Sequence, residues 1–329
     1  MSAFHLLRLP LLAFEHVLCM MNPYELVNVS LASSRTKKVV KNISRPRPKF
    51  RVSFIINDQP CISIIGKHPE INSWEYSWTS HDPIIFLAKY PNSKKITHVD
   101  MKIVNNPIET FLEFYDYINE VFGCSIQQVN YELNPFLRGR CEKIMDFLSQ
   151  QAIRDLRIYG SWPKESPFDV KYHLSELKIS GMLVLDVSQA GNNFQLEIPK
   201  GFPRLDVSKS KFINYEQFLS LKHPEMILND CIYSGQVINR FLKSWIACES
   251  HFDLKSVLIV VQRPIIEEEI LIGIPHEVTS DPDVMKKFKR CPFHATFDEG
   301  FNIKRSDGKV ATICIARLTN YSRLCLIIH

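Results

Sequence analysis

The chain has 329 residues, which is long enough for one large domain or two domains of ordinary size. Hydrophobic residues make up 45% of it and charged residues 23%, a globular composition that excludes global disorder. No uncharged apolar run approaches the roughly 18 residues of a membrane span. Arg8, Pro10 and Glu15 interrupt the apolar N-terminus before a signal-peptide core could form. We therefore expect a soluble, intracellular protein.

The net charge of +5 comes from one stretch of the chain. Eight basic residues and no acidic residue lie between Arg35 and Arg51, and without them 32 basic residues stand against 35 acidic ones. This run is predicted to form the solvated face of a helix and a stiff linker, with a nuclear-import signal or a nucleic-acid patch as the alternatives. It contains no aromatic residue before Phe50, so it offers no platform on which bases could stack. We do not expect nucleic-acid binding.

Three short helices are predicted at the N-terminus. The first has a broad apolar face, built at helical spacing from Leu11, Phe14, Leu18 and Met21. Asn22 is a good N-cap and Pro23 a good first helical residue, so a second helix should begin there. The third, which is basic on its other face, carries Val39, Val40 and Ile43.

These helices have more apolar surface than they can bury by themselves. A unit of about forty residues is near the size at which a chain cannot bury enough surface alone. The first helix is nonetheless apolar nearly all round, so something else must cover it. That cover is either the rest of this chain or a partner protein, and spacing and composition do not separate the two.

A sheet is predicted after the linker. Pro46 and Pro48 restrict their neighbours to extended conformations and mark the boundary at residues 45–49. Residues 50–65 alternate around a turn and indicate a β-hairpin. Further strands are expected at 84–87, at 99–104 and where Trp74, Tyr76 and Trp78 alternate with polar residues. The aromatic triplet favours the core face of a sheet over a binding face.

The hydrophobic period then changes to that of helices and repeats. A helix is predicted over 108–122, ending at Gly123, followed by a strand at 125–131 and a helix at 141–151. Apolar triplets begin at Leu156, Leu183, Leu205, Met226 and Val257, with a helix from 235 to 247 between the last two. Strands and helices at this spacing are typical of leucine-rich solenoids, so we expect a parallel, right-handed strand–helix stack.

The C-terminal part is predicted to close with a hairpin. A polar stretch runs to Lys304, and Asp307-Gly308 then gives a turn signal. Residues 310–315 and 324–328 are the expected strands.

No catalytic or metal motif stands out. The chain has no phosphate-binding loop and no dinucleotide-binding glycine pattern. His276-Glu277 begins like a zinc-protease helix, but Ser280 occupies the position of the second histidine. Nine scattered cysteines are predicted to be reduced thiols. Two Cys-x-x-His pairs, 248/251 and 291/294, are 43 residues apart and are read as unrelated groups rather than a zinc site. We therefore predict no catalytic residues, no cofactor and no metal site.

The N-terminal residues resemble an F-box. The pattern runs without a gap from Leu9-Pro10 to Ser33-Ser34-Arg35, in the form seen in the large nematode F-box families. The chain departs from it at Leu12, where most F-boxes have an acid, and at Thr36, where many have an aromatic residue. The resemblance implies binding to the Skp-type adaptor, and through it to a cullin scaffold.

It also implies which residues face that adaptor. The expected set is Leu9, Pro10, Leu12, Val17, Leu18, Met21, Pro23 and Leu26. A core role is the alternative for each of them. Leu9, Pro10 and Pro23 are the least core-like, and so the best tests.

The later chain resembles the F-box associated domain of the second type. The resemblance is carried by the runs 212–221, 227–231 and 239–246 and by the turn from Arg305 to Ala311. It implies a substrate-recruiting role for the region but names no substrate-binding residue.

The sequence therefore predicts an α+β protein. A three-helix F-box at 4–44 and a linker at 45–49 precede an associated domain at 50–329, which combines a mixed sheet, leucine-rich-repeat-like units over about 150–262 and a C-terminal hairpin. The expected function is that of a non-catalytic substrate adaptor of an SCF-type ubiquitin ligase, in the cytoplasm, the nucleus or both. The alternatives are a free-standing interaction module and an enzyme whose site is not visible in the sequence.

Overall fold

The computed structural model describes residues 9–46, 50–66, 72–80, 96–133, 141–161, 174, 176–188, 196–292, 295–318 and 320–329. The chain divides into two compact units, Met1–Cys141 and Glu142–His329. Within the described ranges, no helix is long and apolar enough to cross a membrane.

The first unit combines four helices with a mixed sheet. Its helices are α1 (Leu11–Met20), α2 (Pro23–Leu31), α3 (Ser34–Ser44) and α4 (Pro107–Phe122). Its strands are β1 (Arg51–Ile56), β2 (Cys61–Ile65), β3 (Asn72–Thr79), β4 (Ile96–Ile103) and β5 (Ser125–Leu133). They are ordered β5-β1-β2-β3-β4, with β2 antiparallel to both neighbours and the outer pairs parallel. The predicted hairpin over 50–65 is confirmed, and the strand expected at 84–87 lies outside the described residues.

Aromatic packing between β3 and α4 forms the core of this unit. Trp78 and Tyr76 are buried, and both rings contact Phe114 of α4, at centroid distances of 5.3 and 4.5 Å. Phe111 packs against Trp78 from the same helix. The strand therefore turns Tyr76 and Trp78 into the core, as predicted, whereas Trp74, the third member of the predicted triplet, is only partly buried. The helix ends at Gly123, whose φ of 64° lies in the left-handed region that favours glycine.

The second unit contains a sheet that is parallel on one side and antiparallel on the other. Its strands are β6 (Ala152–Ser161), β7 (Lys178–Ser188), β8 (Arg204–Val207), β9 (Glu225–Cys231), β10 (Ser256–Val261), β11 (His276–Thr279), β12 (Gly300–Lys304), β13 (Val310–Arg317) and β14 (Ser322–Ile328). They are ordered β6-β7-β8-β9-β10-β14-β13-β12-β11. All pairs from β6 to β10 are parallel, and all pairs from β10 to β11 are antiparallel.

The predicted apolar triplets are aligned with one another in the parallel strands. The first residues of the triplets lie directly opposite one another in successive pairs, in the order Leu156, Leu183, Leu205, Met226 and Val257. All five residues are buried. Parallel strands that are buried on both faces are usually short continuous apolar runs, and the predicted triplets have this form. The parallel arrangement is thus confirmed, while the likeness to leucine-rich repeats and the handedness of the stack stay predictions.

Helices of the second unit cover its sheet. They are α5 (Cys141–Ser149), α6 (Tyr215–Ser220), α7 (Gly235–Ile246), α8 (Glu267–Leu271) and α9 (Pro282–Arg290). The polar stretch before Lys304, for which no helix or strand was predicted, contains β11, α9 and β12. In α9, Met285 and Phe288 are buried against a sheet face that includes Leu258 and Cys325. Val284 of the same helix is partly buried and packs against the same cluster.

The turn between β12 and β13 is attached to the end of α7. Arg305 is buried and donates two hydrogen bonds to the Asp307 carboxylate, at 2.9 and 2.6 Å. Its guanidinium lies 5.2 Å over the Trp245 ring, and the Ser306 amide donates to the Ile246 carbonyl oxygen at 2.9 Å. The predicted Asp-Gly turn is confirmed, with Gly308 at a φ of 96°. The Arg305 guanidinium also lowers the pKa of Asp307 to about 2.

Candidate adaptor-binding surface

Local capping sets the start of helices α2 and α3. The Asn22 side chain accepts a hydrogen bond from the Glu25 amide at 3.0 Å, and the Glu25 carboxylate accepts one from the Asn22 amide at 2.8 Å. Ser33 and Thr36 form the same reciprocal arrangement at the start of α3. Such capping boxes satisfy backbone donors that the first helical turn leaves free. Thr36, which departs from the F-box pattern, is therefore used to begin a helix.

Helix α2 is docked on the rest of the first unit. The Tyr24 hydroxyl donates to the Glu75 carbonyl oxygen at 2.6 Å and accepts from the Glu75 amide at 3.1 Å. Its ring also packs edge-on against Tyr76, with centroids 4.7 Å apart. Burial raises the pKa of the Tyr24 hydroxyl well above its ordinary value, so this group stays protonated as a hydrogen-bond donor. Further along α2, the Ser30 hydroxyl lies 2.8 Å from the Tyr117 hydroxyl.

Ion pairs hold helix α3 against helix α4. The ammonium groups of Lys37 and Lys41 lie 2.7 and 3.1 Å from the Glu120 carboxylate of α4. Lys37 also lies over the Tyr117 ring, 4.7 Å from its centroid. Hydrogen bonds from the two lysines hold the pKa of Glu120 below its ordinary value. Two of the cations in the predicted basic run are therefore engaged within the first unit, which weighs against a nucleic-acid patch.

Helix α1 keeps apolar side chains in solvent. Leu12 is 74% exposed and Met20 is 79% exposed in the described part of the chain. Leu12, His16 and Met20 follow one another at intervals of four residues, so they lie along one side of the helix. Pro10, just before the helix, is also exposed. We call Pro10, Leu12 and Met20 the α1 surface.

The residues predicted to face the adaptor divide by burial. Pro10 and Leu12 are exposed, and Leu9, Val17 and Met21 are partly buried. Leu18, Pro23 and Leu26 are buried, which gives these three a core role in the unit. Pro23 was expected to be among the least core-like residues, and this was wrong, because the start of α2 packs inward.

Two exposed apolar residues were absent from the predicted set. They are Met20 on α1 and Leu31 at the end of α2, which is 58% exposed. The signal for Met20 was available, because a helix that is apolar all round must present apolar side chains on the side away from the core. Leu31 had no comparable signal in the sequence.

The Cys-x-x-His pairs give no support for chemistry. His251 is buried against the rings of Phe218 and Phe241, at centroid distances of 5.0 and 5.2 Å. Burial lowers the pKa of its imidazole to about 4. His294, from the second pair, lies outside the described residues. Among the residues that are described, no three His, Cys, Asp or Glu side chains gather as metal ligands would. Residues 276–279 form strand β11 rather than the helix that a zinc-protease motif needs.

Comparison with known proteins identifies the two parts of the chain. A family model described as F-box domain matches residues 6–47, which include α1, α2 and α3. A second model, described as F-box associated, matches residues 193–258, from before β8 into β10. Searches of curated proteins and of solved structures gave no match. The chain therefore has the nematode-type architecture, in which an F-box is followed by an F-box associated region.

Proposed function

We propose that this chain is a substrate-recognition adaptor of an SCF-type ubiquitin ligase. The α1 surface docks on a Skp-type adaptor, which connects the chain to a cullin scaffold, and the associated region recruits a protein substrate. The chain itself is non-catalytic and contributes proximity between the substrate and the enzyme that modifies it. Such a subunit is expected in the cytoplasm, the nucleus or both.

One observation supports this proposal above the others. In the part that matches the F-box model, α2 and α3 are docked on their own chain, whereas Leu12 and Met20 of α1 remain exposed. An apolar side chain exposed at this level on a short helix costs solubility without stabilising the fold. Exposed apolar side chains along one side of a helix are suited to protein association. A partner that covers α1 accounts for it.

The division of labour follows the predicted domains. Residues 4–44 bind the adaptor, residues 45–49 connect, and residues 50–329 recruit the substrate, with the parallel strands β6–β10 serving as a leucine-rich-repeat-like support. Because α2 and α3 pack on β3 and α4, the F-box is held firmly against the first strands of the associated region.

Co-purification tests the proposal. The full chain is expected to retain a Skp-type adaptor and, through it, a cullin, while the Leu12→Ala, Met20→Ala double variant retains neither. Burial of two such anchors at an interface commonly accounts for about 2–4 kcal/mol of binding. The matched control truncates Ile266 and Ile272, which are exposed apolar residues of the second unit.

The result also separates the alternatives. If the unaltered chain retains no adaptor, it acts as an interaction module outside the ligase. If the double variant retains as much adaptor as the control variant, the α1 surface is not the docking site.

A further inference from the structure

The second unit contains a polar cleft at one end of its sheet. It has a volume of about 560 Å³ and lies where β9 and β10 end and β14 begins. Val260 of β10 forms part of its floor. The polar side chains that line it are Asn229, Asp230, Gln262, Asn320, Tyr321 and Arg323. We call it the β9–β10 cleft.

The position of the cleft is one that favours ligands. β9 and β10 are parallel, and β14 pairs with β10 in the opposite direction, with Val260 opposite Arg323. The cleft therefore lies at the carboxyl ends of parallel strands, where the strand direction in the sheet changes. In open sheets of parallel strands, ligands bind in a crevice outside the carboxyl ends of the strands.

Arg323 brings a positive charge that the described residues do not neutralise. Its guanidinium lies 5.2 Å from the centroid of the Tyr321 ring, and its Nη2 donates to the Tyr321 hydroxyl at 3.3 Å. Its Nε is buried and has no hydrogen-bond partner among the described residues. A buried guanidinium donor without an acceptor is costly, so Arg323 keeps hydrogen-bonding capacity that the described residues leave unused.

Asp230 brings an unused acceptor to the same cleft. Its Oδ2 lies 3.2 Å from the ammonium of Lys211, which offsets its charge. Its Oδ1 is buried and, within the described ranges, accepts no hydrogen bond. The backbone of Asp230 has a φ of 60°, in the left-handed region, which aspartate adopts more readily than most other residues besides glycine. The cleft is therefore lined by a cationic residue with an unused donor and an acidic residue with an unused acceptor.

We propose that the β9–β10 cleft binds an extended segment of a substrate protein through an Asp or Glu side chain. Arg323 receives the carboxylate, and Asp230 accepts a backbone N–H of the bound segment. The amides of Gln262 and Asn320 are placed to bond further peptide groups. A phosphate group fits less well, because its second negative charge would face Asp230. The proposal rests on the proposed function, since it names the class of substrate that the associated region recruits.

Peptide binding by the purified full chain tests the proposal. The probes are pools of short fluorescent peptides, random except for a central residue fixed as Glu, Gln, phosphoserine or Lys. We expect the Glu pool to bind about tenfold more tightly than the Gln pool, as for a charge-assisted hydrogen bond, and to weaken as salt is added. Arg323→Gln should abolish the preference for Glu over Gln.

Two further variants show whether a change in peptide binding comes from the cleft itself or from misfolding. Arg154→Gln changes an exposed arginine of β6, remote from the cleft, and should leave the preference intact. Gln262→Ala changes an exposed side chain, so it should fold normally, and about threefold weaker binding of the Glu pool is expected from the loss of one neutral hydrogen bond. If Arg323→Gln fails to fold, unchanged binding by Gln262→Ala and by Asn320→Ala overturns the proposal.

Other outcomes are decisive as well. Equal binding of the Glu and Gln pools overturns the proposal, and preference for the phosphoserine pool overturns the carboxylate assignment. Retention of the Skp-type adaptor by Arg323→Gln is measured alongside. Adaptor binding without a Glu preference means that the cleft proposal fails alone, whereas a Glu preference without adaptor binding means that the ligase proposal fails alone.

Discussion

Helices α1 and α7 are both rich in apolar residues, but the fold uses them differently. The apolar face of α7 is buried in the core of the second unit. Its side chains that are completely or almost completely buried are Ile238, Phe241, Leu242 and Trp245. In α1, Phe14 and Leu18 are buried while Leu12 and Met20 remain in solvent. The difference shows that apolar content does not by itself indicate a core. What the chain leaves uncovered is the part available to a partner.

Truncation in α7 should have the largest effect on stability. Trp245 is fully buried and carries the Arg305 guanidinium on its ring, so Trp245→Ala removes both a large core side chain and the platform for the β12–β13 turn. We expect a loss of about 3–5 kcal/mol in the free energy of unfolding. Urea unfolding followed by circular dichroism measures it. A loss below about 1 kcal/mol would show that α7 is not part of the core.

The core beneath α7 should also respond to acid. His251 packs on Phe241 of this helix, and its pKa of about 4 lies below the ordinary value of about 6.5. The unfolded chain therefore binds a proton more readily than the folded one as the pH falls from 6.5 to 4. The contribution of His251 to stability is full above pH 6.5 and falls by about 3 kcal/mol across that window, with no further loss from this group below pH 4.

A His251→Phe variant isolates this effect. Its free energy of unfolding should fall less steeply between pH 6.5 and 4 than that of the unaltered chain, although His223, whose pKa is also lowered by burial, keeps part of the slope. Denaturant titrations at several pH values give the two slopes. Identical slopes would contradict a neutral, buried His251.

The hydrogen bonds that dock α2 should contribute less to the free energy of unfolding than the core around α7. Tyr24→Phe keeps the ring on Tyr76 but removes the hydroxyl that bonds the Glu75 amide and carbonyl. We expect destabilisation of about 1–2 kcal/mol, because the backbone groups of Glu75 lose their partner. Leu31→Ala, an exposed position of the same helix, is the control and should change the free energy of unfolding by less than about 0.5 kcal/mol. Thermal unfolding in parallel compares the two, and equal stabilities would mean that α2 is not held through Tyr24.

Elements with a strong local signal were predictable from the sequence. The triplets from Leu156 to Val257 gave the parallel strands, since buried strands of this kind are short, uninterrupted apolar runs. Asn22-Pro23 gave the start of α2, because its capping requirements are local. In contrast, β11 was missed because this short strand lies at one end of the described sheet and is almost wholly exposed, so no alternation marks it. Helix α9 was missed because only Met285 and Phe288 are buried.

Sites assembled from distant segments were not predictable. Asp230 and Arg323 are far apart in sequence, and only the insertion of β14 beside β10 brings them to one cleft. The burial of Pro23 likewise depends on how α2 packs on the rest of the unit. Helical periodicity gives an apolar stripe, but it does not tell which side of a helix the remaining chain will cover.

The central claim is that α1 keeps its exposed apolar side chains for a partner. Calorimetric titration with a Skp-type adaptor and urea unfolding, performed on the same variants, test it most directly. For Leu12→Ala, Met20→Ala we predict binding weakened by at least about 2 kcal/mol with the free energy of unfolding unchanged within about 0.5 kcal/mol. For Leu18→Ala, a buried position of the same helix, we predict a loss of about 2–5 kcal/mol in the free energy of unfolding. Unweakened adaptor binding by the double variant would contradict the account.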